Sequence, residues 1–215
     1  MTIHIFGGGT VMHVRNHLAL CAPAAGATAR ALANFLRQRS GQPVELHETR
    51  MANPSSTMES NLDVEDALRR ALARPDTRAI IFNVALCDFV GQIGAVESGK
   101  YAERLQTREV PPEGLSLMLK PAPKLLGLVR QLRPEVASVG FKTTAGETPE
   151  VQVARANRMS SEHGVDLVLA NDTVTRNNIV LPGRGEGTVE GAIFNGTSRT
   201  AALAALAEAF QALIQ

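Results

Sequence analysis

Three short segments of this chain carry residue types suited to holding a nucleotide. Gly7-Gly8-Gly9-Thr10 follows the largely apolar run Ile3-His4-Ile5-Phe6, and backbone N–H groups in a glycine turn can approach a phosphate without interference from Cβ atoms. The run matches neither GxGxxG nor GxxxxGK(S/T), so a plain tight turn and a phosphate loop using Gly8, Gly9 and Thr10 stand level on spacing alone. Asn83-Val84-Ala85-Leu86-Cys87-Asp88 ends a second apolar run. There Asp88 can orient a ribose or a metal-bound phosphate, or cap the next turn. Asn171-Asp172 ends a third run and can hydrogen-bond a base or ribose, or close the strand with an Asx turn. In open α/β sheets ligands sit beyond the carboxyl ends of the strands, so the three segments are expected to converge on one crevice.

Other reactive side chains offer less. His13 and His17 have the spacing of helical metal ligands, but no third ligand lies nearby and no metal-binding residue is assigned. Cys21 and Cys87 form no CxxC pair, which indicates neither a zinc site nor a redox couple and fits a reducing compartment. Cys87 reads as a packed thiol. No GxSxG or HExxH signature occurs.

The elements that must position these residues alternate. A strand at 2–6 leads through the glycine turn to a helix at 26–39. A strand at 44–46, an amphipathic helix at 60–72 and an apolar strand at 79–85 follow. Between Asp88 and Pro123 glycines and prolines punctuate the pattern, and only 115–119 reads as a strand, so a mobile excursion is expected. Alternation resumes with helices at 124–131 and 150–162 and strands at 136–141 and 165–170. A hairpin at 177–194 around the glycine-rich 182–187 turn and a Ser198-capped helix at 200–213 complete the chain. Strands separated by helices point to a mainly parallel α/β sheet in a single domain spanning 1–215.

Composition narrows the function classes. With 215 residues, 44% hydrophobic and 20% charged, the chain reads as a soluble globular protein that can bury roughly 70% of its unfolded surface. A net charge of +1 with scattered basic residues, and Tyr101 as the single tyrosine without tryptophan, argue against a nucleic-acid partner. No segment approaches the ~18 apolar residues of a membrane span, so a cytoplasmic location is expected.

Several of these segments, in order, resemble the phosphopantothenoylcysteine synthetase family. Phe6-Gly7-Gly8-Gly9-Thr10 is similar to its Ala-Gly-Gly-Thr loop, and Ala85-Leu86-Cys87-Asp88-Phe89 to its Ala-Val-x-Asp-(Phe/Trp) signature. Leu117-Met118-Leu119-Lys120-Pro121-Ala122-Pro123-Lys124-Leu125-Leu126 resembles its strand and Pro-Lys-(Leu/Ile)-Leu helix start. Val139-Gly140-Phe141-Lys142 resembles its Gly-Phe strand end, and Asp166-Leu167-Val168-Leu169-Ala170-Asn171-Asp172 its Asp-x-Ile-x-Ala-Asn-Asp strand.

The resemblance implies a Rossmann-like three-layer fold with a C-terminal hairpin and a flexible excursion, and a homodimer. It also implies a CTP- or ATP-dependent, Mg²⁺-assisted ligase of the coenzyme A pathway that joins a small-molecule acid to an amine through an acyl-nucleotidyl intermediate. No protein nucleophile is needed for that chemistry. It does require positive charge and amide donors around the phosphates. Gly8, Gly9, Thr10, Val84, Ala85, Asp88, Pro123, Lys124, Leu125, Leu126, Phe141, Asn171 and Asp172 would then line the nucleotide pocket. Arg15 and Arg104 would be electrostatic catalytic groups, with His17 a polar substitute nearby.

This chain departs from the family pattern at informative places. The family's asparagine for handling the acyl intermediate is Ala19 here, its Ser-Ser-Gly run is Cys21-Ala22-Pro23, and its flexible-loop lysine is Arg104. Lysines after Phe141 are missing, which leaves Arg155 and Arg158 as the cations of that helix. Arginine keeps the charge and forks onto phosphate, but it is not equivalent to lysine. The alternative reading is a catalytically altered or inactive homologue acting as a nucleotide-binding module. A nicotinamide oxidoreductase is disfavoured because GxGxxG is missing and only Glu48 is offered for the ribose.

Overall fold

The computed structural model describes residues 1–183 and 187–214; positions 184–186 of the expected glycine-rich turn lie outside the described residues. Alternation within the first strand shows how the layers arise. Successive side chains of a strand face opposite ways. Ile3 and Ile5 pack on one side of the sheet with Leu32 and Leu36, while Phe6 packs on the other with Leu68 and Ile80. Each fully buried Leu, Ile or Phe contributes roughly 1.5–3 kcal/mol.

The strands are β1 (Thr2–Arg15), β2 (Leu18–Ala22), β3 (Val44–Glu48), β4 (Thr77–Ala85), β5 (Phe89–Ile93), β6 (Leu117–Pro121), β7 (Ala137–Thr144), β8 (Leu167–Asp172), β9 (Asn178–Pro182) and β10 (Phe194–Gly196). The helices are α1 (Ala27–Arg39), α2 (Asn61–Ala73), α3 (Gly127–Leu132), α4 (Pro149–His163) and α5 (Arg199–Ile214). The main sheet runs β10-β9-β8-β7-β4-β1-β2, with β3 also paired to β1, and β5-β6 form a separate two-stranded sheet. Strands β3, β1, β4, β7 and β8 are mutually parallel, and β2, β9 and β10 join antiparallel. Helices α1 and α5 cover one face, and α2, α3 and α4 the other. The three-layer α/β expectation therefore holds.

Helix ends follow local chemistry. Ser60 and Asp63 form a reciprocal capping box on α2, and Thr148 caps α4, which stops at Gly164 in the left-handed region. The Ser198 hydroxyl accepts from the Ala201 amide at 3.2 Å at the start of α5.

Three expectations are corrected. Gly7-Gly8-Gly9 is not a turn: it continues β1 in register with Asn83, Val84 and Ala85. A Cβ on Gly7 would stand 2.3 Å from the Ala29 Cβ, and one on Gly9 2.1 Å from the Ala22 carbonyl oxygen. The glycines therefore let α1 and the connection leading into it lie against the strand, and β1 turns back through β2 before α1 begins. The excursion also holds a strand that the glycine pattern hides, since Gly91 lies inside β5. A Cβ there would meet Val14 at 2.8 Å and Leu117 at 3.0 Å. Finally, 188–194 is not a strand up to Phe194; the Thr188 hydroxyl takes the Gly191 amide at 3.0 Å and closes a local turn instead.

Candidate functional site at the carboxyl edge of the sheet

The order β3-β1-β4-β7-β8 reverses direction at β1 and β4, and the carboxyl ends of strands flanking such a switch point are where α/β sheets take ligands. β4 and β7 pair only from Ala79 with Ala137 to Phe82 with Gly140. Beyond that the strands part, while Asn83, Val84 and Ala85 stay paired with Gly7, Gly8 and Gly9 of β1. A notch opens between the last residues of β4 and of β7.

A buried clasp shapes one wall of this notch. The Thr10 hydroxyl donates to Asn61 Oδ1 at 2.7 Å and accepts from the Cys87 amide at 2.9 Å. Asn61 Nδ2 donates to the Cys87 carbonyl oxygen at 2.8 Å. Thr10 is thus fully buried and holds the loop after β4 against β1 and the first turn of α2. Asn61 escaped the sequence reading, although it lies on the apolar stripe of α2 with Val64, Leu68 and Ala71, where a polar residue signals a specific partner.

The next segments are stitched to this loop. The Asp88 carbonyl oxygen accepts from the Ala122 amide at 2.8 Å, and its exposed carboxylate pairs with Lys124. Leu125 and Leu126 are buried in the cluster against which Val84 and Leu86 pack, while Pro123 is exposed. Val84, Ala85, Asp88 and 123–126 accordingly form one group beside Gly8 and Gly9.

The other wall is built from β7 and β8. Phe141 is half-buried, and Asn171 lies beside Thr143, with Oδ1 3.4 Å from its hydroxyl. Asp172 is saturated locally. It accepts from the amides of Gly146, Glu147, Val174 and Thr175 at 2.8–3.0 Å and from the Thr144 hydroxyl. Burial works against its charge, but these donors win and hold the carboxyl far below the usual carboxylate range. Its carboxylate serves as an Asx-type organiser of the edge. Arg155 pairs with Glu147 at 2.5 Å and so stays near this turn, whereas Arg158 pairs with Glu162 one helical turn further on.

Arg15, His17 and Arg104 form a second group. Arg15 is buried, and its guanidinium donates to the carbonyl oxygens of Val14 and Ile93. With the exposed Arg104 it lines a cavity of about 220 Å³ that also touches Val96, Glu103, Gln106 and Leu115. His17 is exposed in the β1-β2 turn, next to Asn16, whose amide donates to the Ala102 carbonyl oxygen at 3.1 Å. At roughly 3.3 Å per residue along β1, Arg15 lies about 20 Å beyond Gly9. The structure therefore brings Arg15 and Arg104 together but separates them from the notch within one chain.

This architecture defines a class: an α/β protein whose candidate site lies at its topological switch point, where β4 and β7 cease to pair. No protein-family model matches the chain. The coenzyme A biosynthesis bifunctional protein CoaBC of Thermococcus kodakarensis is 27% identical over 154 residues, which is 67% of this chain and 36% of that protein. The match thus spans about a third of the relative's length. The DNA/pantothenate metabolism flavoprotein from Streptococcus pneumoniae superposes with a TM-score of 0.77 at 19% identity, covering 99% of both chains. The C-terminal domain of a CoaBC gives 0.66 at 14% identity, with 99% of this chain and 94% of that one covered. A Cab2 mutant in complex with phosphopantothenate-cysteine gives 0.60 at 16%, covering 84% and 76%. The fold is shared with these structures, and the curated relative is similar in sequence to two thirds of this chain.

Proposed function

We propose that this chain is a nucleotide-dependent carboxylate-amine ligase of the phosphopantothenoylcysteine synthetase type. In the first step an acid carboxylate oxygen attacks the nucleotide α-phosphorus, the bond to the β-phosphate oxygen breaks, and pyrophosphate leaves. The amine nitrogen then attacks the acyl carbon, and the nucleoside monophosphate departs. The observation that carries this reading is the early end of β4–β7 pairing at Phe82 and Gly140, which leaves Val84 and Ala85 unpaired on that flank, next to the loop where Asp88 pairs with Lys124.

Its electrostatics suit a triphosphate. The first turn of α1 has Gly26 as its N-cap, with no side-chain hydrogen bond, and α1 packs on Gly7. Its free amides and the positive end of the helix dipole favour a phosphate. Lys124 adds a cation beside the loop that carries Asp88. Mg²⁺ would arrive on the triphosphate, where a hard cation needs few protein ligands; Asp88 is the exposed carboxylate available to it, because the Asp172 oxygens are already taken. When bound, the ion would neutralise charge on the phosphates.

A homodimer through β5-β6 belongs to the same proposal. Phe89, Leu117, Met118 and Leu119 expose apolar surface on that two-stranded sheet, of the kind proteins cover with a partner. Among the described residues no helix is long and apolar enough to cross a membrane, and we place the reaction in the cytoplasm.

The test incubates the protein with CTP or ATP, Mg²⁺, 4'-phosphopantothenate and cysteine and follows pyrophosphate. Release that requires the acid supports the ligase. Release with another acid keeps the reaction class and moves the pathway. Tight triphosphate binding without release supports the second reading, a nucleotide-binding homologue. That reading is favoured by Ala19, which offers no side-chain donor, and by an Arg15 whose guanidinium is engaged with two carbonyl oxygens.

A further inference from the structure

At the opposite, amino-terminal end of the sheet, β1 and β3 bring three metal-ligating side chains together. His4 is paired in register with Glu45, and Phe6 with His47, so Glu45 and His47, two residues apart, face the same side of β3. His4 Nδ1 lies 3.0 Å from His47 Nε2 and 3.5 Å from Glu45 Oε2, and His47 Nε2 lies 4.0 Å from the same oxygen. No element of the proposed ligase uses this group. Along β1, His4 stands about 16 Å before Gly9 at the usual rise per residue.

The hydrogen bonding around His4 fixes which of its nitrogens is bare. The Thr77 hydroxyl donates to the Ala71 carbonyl oxygen at 2.5 Å, so its single proton is committed and its oxygen must accept at the 3.2 Å contact with His4 Nε2. His4 Nε2 therefore carries the ring proton, and Nδ1 presents a lone pair to His47. Two imidazole nitrogens 3.0 Å apart hold between them either the ring proton of a neutral His47, donated from Nε2 to His4 Nδ1, or a metal ion.

We infer that His4 Nδ1, His47 Nε2 and Glu45 Oε2 form a binding site for a divalent transition metal of the zinc type. Tetrahedral zinc with ligand bonds near 2.0–2.1 Å holds its donor atoms about 3.4 Å apart, and the three separations bracket that value. The supporting contacts have the pattern of a metal centre. Thr77 fixes the tautomer and ring angle of His4, and a hydrogen-bonded carboxylate ligand is typical of such sites. Arg74 donates to Glu45 Oε1 at 2.7 Å and Oε2 at 2.8 Å; a carboxylate has lone pairs enough for both partners. Phe6 stacks on His47 with ring centroids 4.5 Å apart and walls one side. His4 is buried, while Glu45 and His47 reach solvent, which leaves an entry path and a fourth position open to water.

The full chain is stripped with chelator and titrated with Co²⁺ and then Zn²⁺. The expected result is one equivalent of Co²⁺ with the intense visible bands of tetrahedral coordination, displaced by Zn²⁺. Glu45→Gln is expected to weaken zinc by at least about tenfold, and Thr77→Val by about 10- to 100-fold, with circular dichroism confirming that each variant is folded. Absence of the visible bands in the wild type overturns the inference and leaves a proton between the rings. Bands and zinc affinity unchanged in folded Glu45→Gln overturn it equally, by placing the metal elsewhere.

Discussion

Replacing Asn61 by alanine removes the centre of the clasp that joins Thr10 to the loop after β4. The Cys87 carbonyl oxygen loses its donor at 2.8 Å and the Thr10 hydroxyl its acceptor at 2.7 Å, while the Cys87 amide keeps Thr10 at 2.9 Å. A buried group left without a partner costs about 1–3 kcal/mol. Cys87 is buried and its carbonyl oxygen is left without this donor, whereas the Thr10 hydroxyl can turn to the Ala85 carbonyl oxygen at 3.3 Å, so the loss is about 1–3 kcal/mol. For a chain of this size that corresponds to a melting temperature lower by about 2–12 °C. Thr10→Val strips the same clasp from the other side, and because the two residues share one network, the double variant should lose less than the sum of the singles. Urea unfolding of the wild type, both single variants and the double variant measures this directly. Additive losses, or an Asn61→Ala penalty under about 0.5 kcal/mol, would refute the account of Thr10 as a structural clasp.

Asp88→Ala breaks an exposed ion pair with Lys124, so stability should change by less than about 0.5 kcal/mol, while triphosphate affinity measured by calorimetry falls about tenfold, the loss of one charge-assisted contact. Gly7→Ala forces a methyl group against Ala29 and should cost about 1–3 kcal/mol in urea unfolding; a neutral result would mean that α1 can move aside. Burial, and then the neighbouring His4, push His47 down from 6.5 to about 4. Unfolded histidine takes up a proton below pH 6.5 and the folded one does not, so stability is full above that pH and is lost as acid is added. Between pH 7 and 5 the loss from this residue is about 2 kcal/mol at most. Urea midpoints in chelator should show it, and His47→Gln should flatten the dependence.

The layers were legible because they rest on local periodicity: Ile3, Ile5 and Phe6 declare two buried faces, and Asn61 to Leu72 declares one. The ends of elements were less legible where tertiary contact decides them. Nothing local distinguishes three glycines in a turn from three glycines in a strand crowded by Ala29 and Ala22, and Gly91 hides β5 for the same reason. The nucleotide-edge candidates could be named because strand ends are marked by a change from apolar to polar residues. Their roles could not, since Asp172 reads identically whether it waits for a ligand or already holds four amides. Arg15 could be named from the resemblance, but only the path of β1 shows how far it stands from Gly9. His4 and His47 lie 43 positions apart, and no spacing rule joins them.

The early parting of β4 from β7 leaves the tip of β4 with a strand on one flank only. A flat ring inserted at that gap would meet peptide atoms, whose donor and acceptor order survives almost any exchange of residue. On the ligase reading proposed above, divergence at Ala19, Arg104 or Cys21 would rewrite what is joined to what while the seat of the base stays the same. Discrimination among bases would follow the spacing of two backbones, and an alteration that tilts β7 would shift it more than a swap of any single group lining the gap.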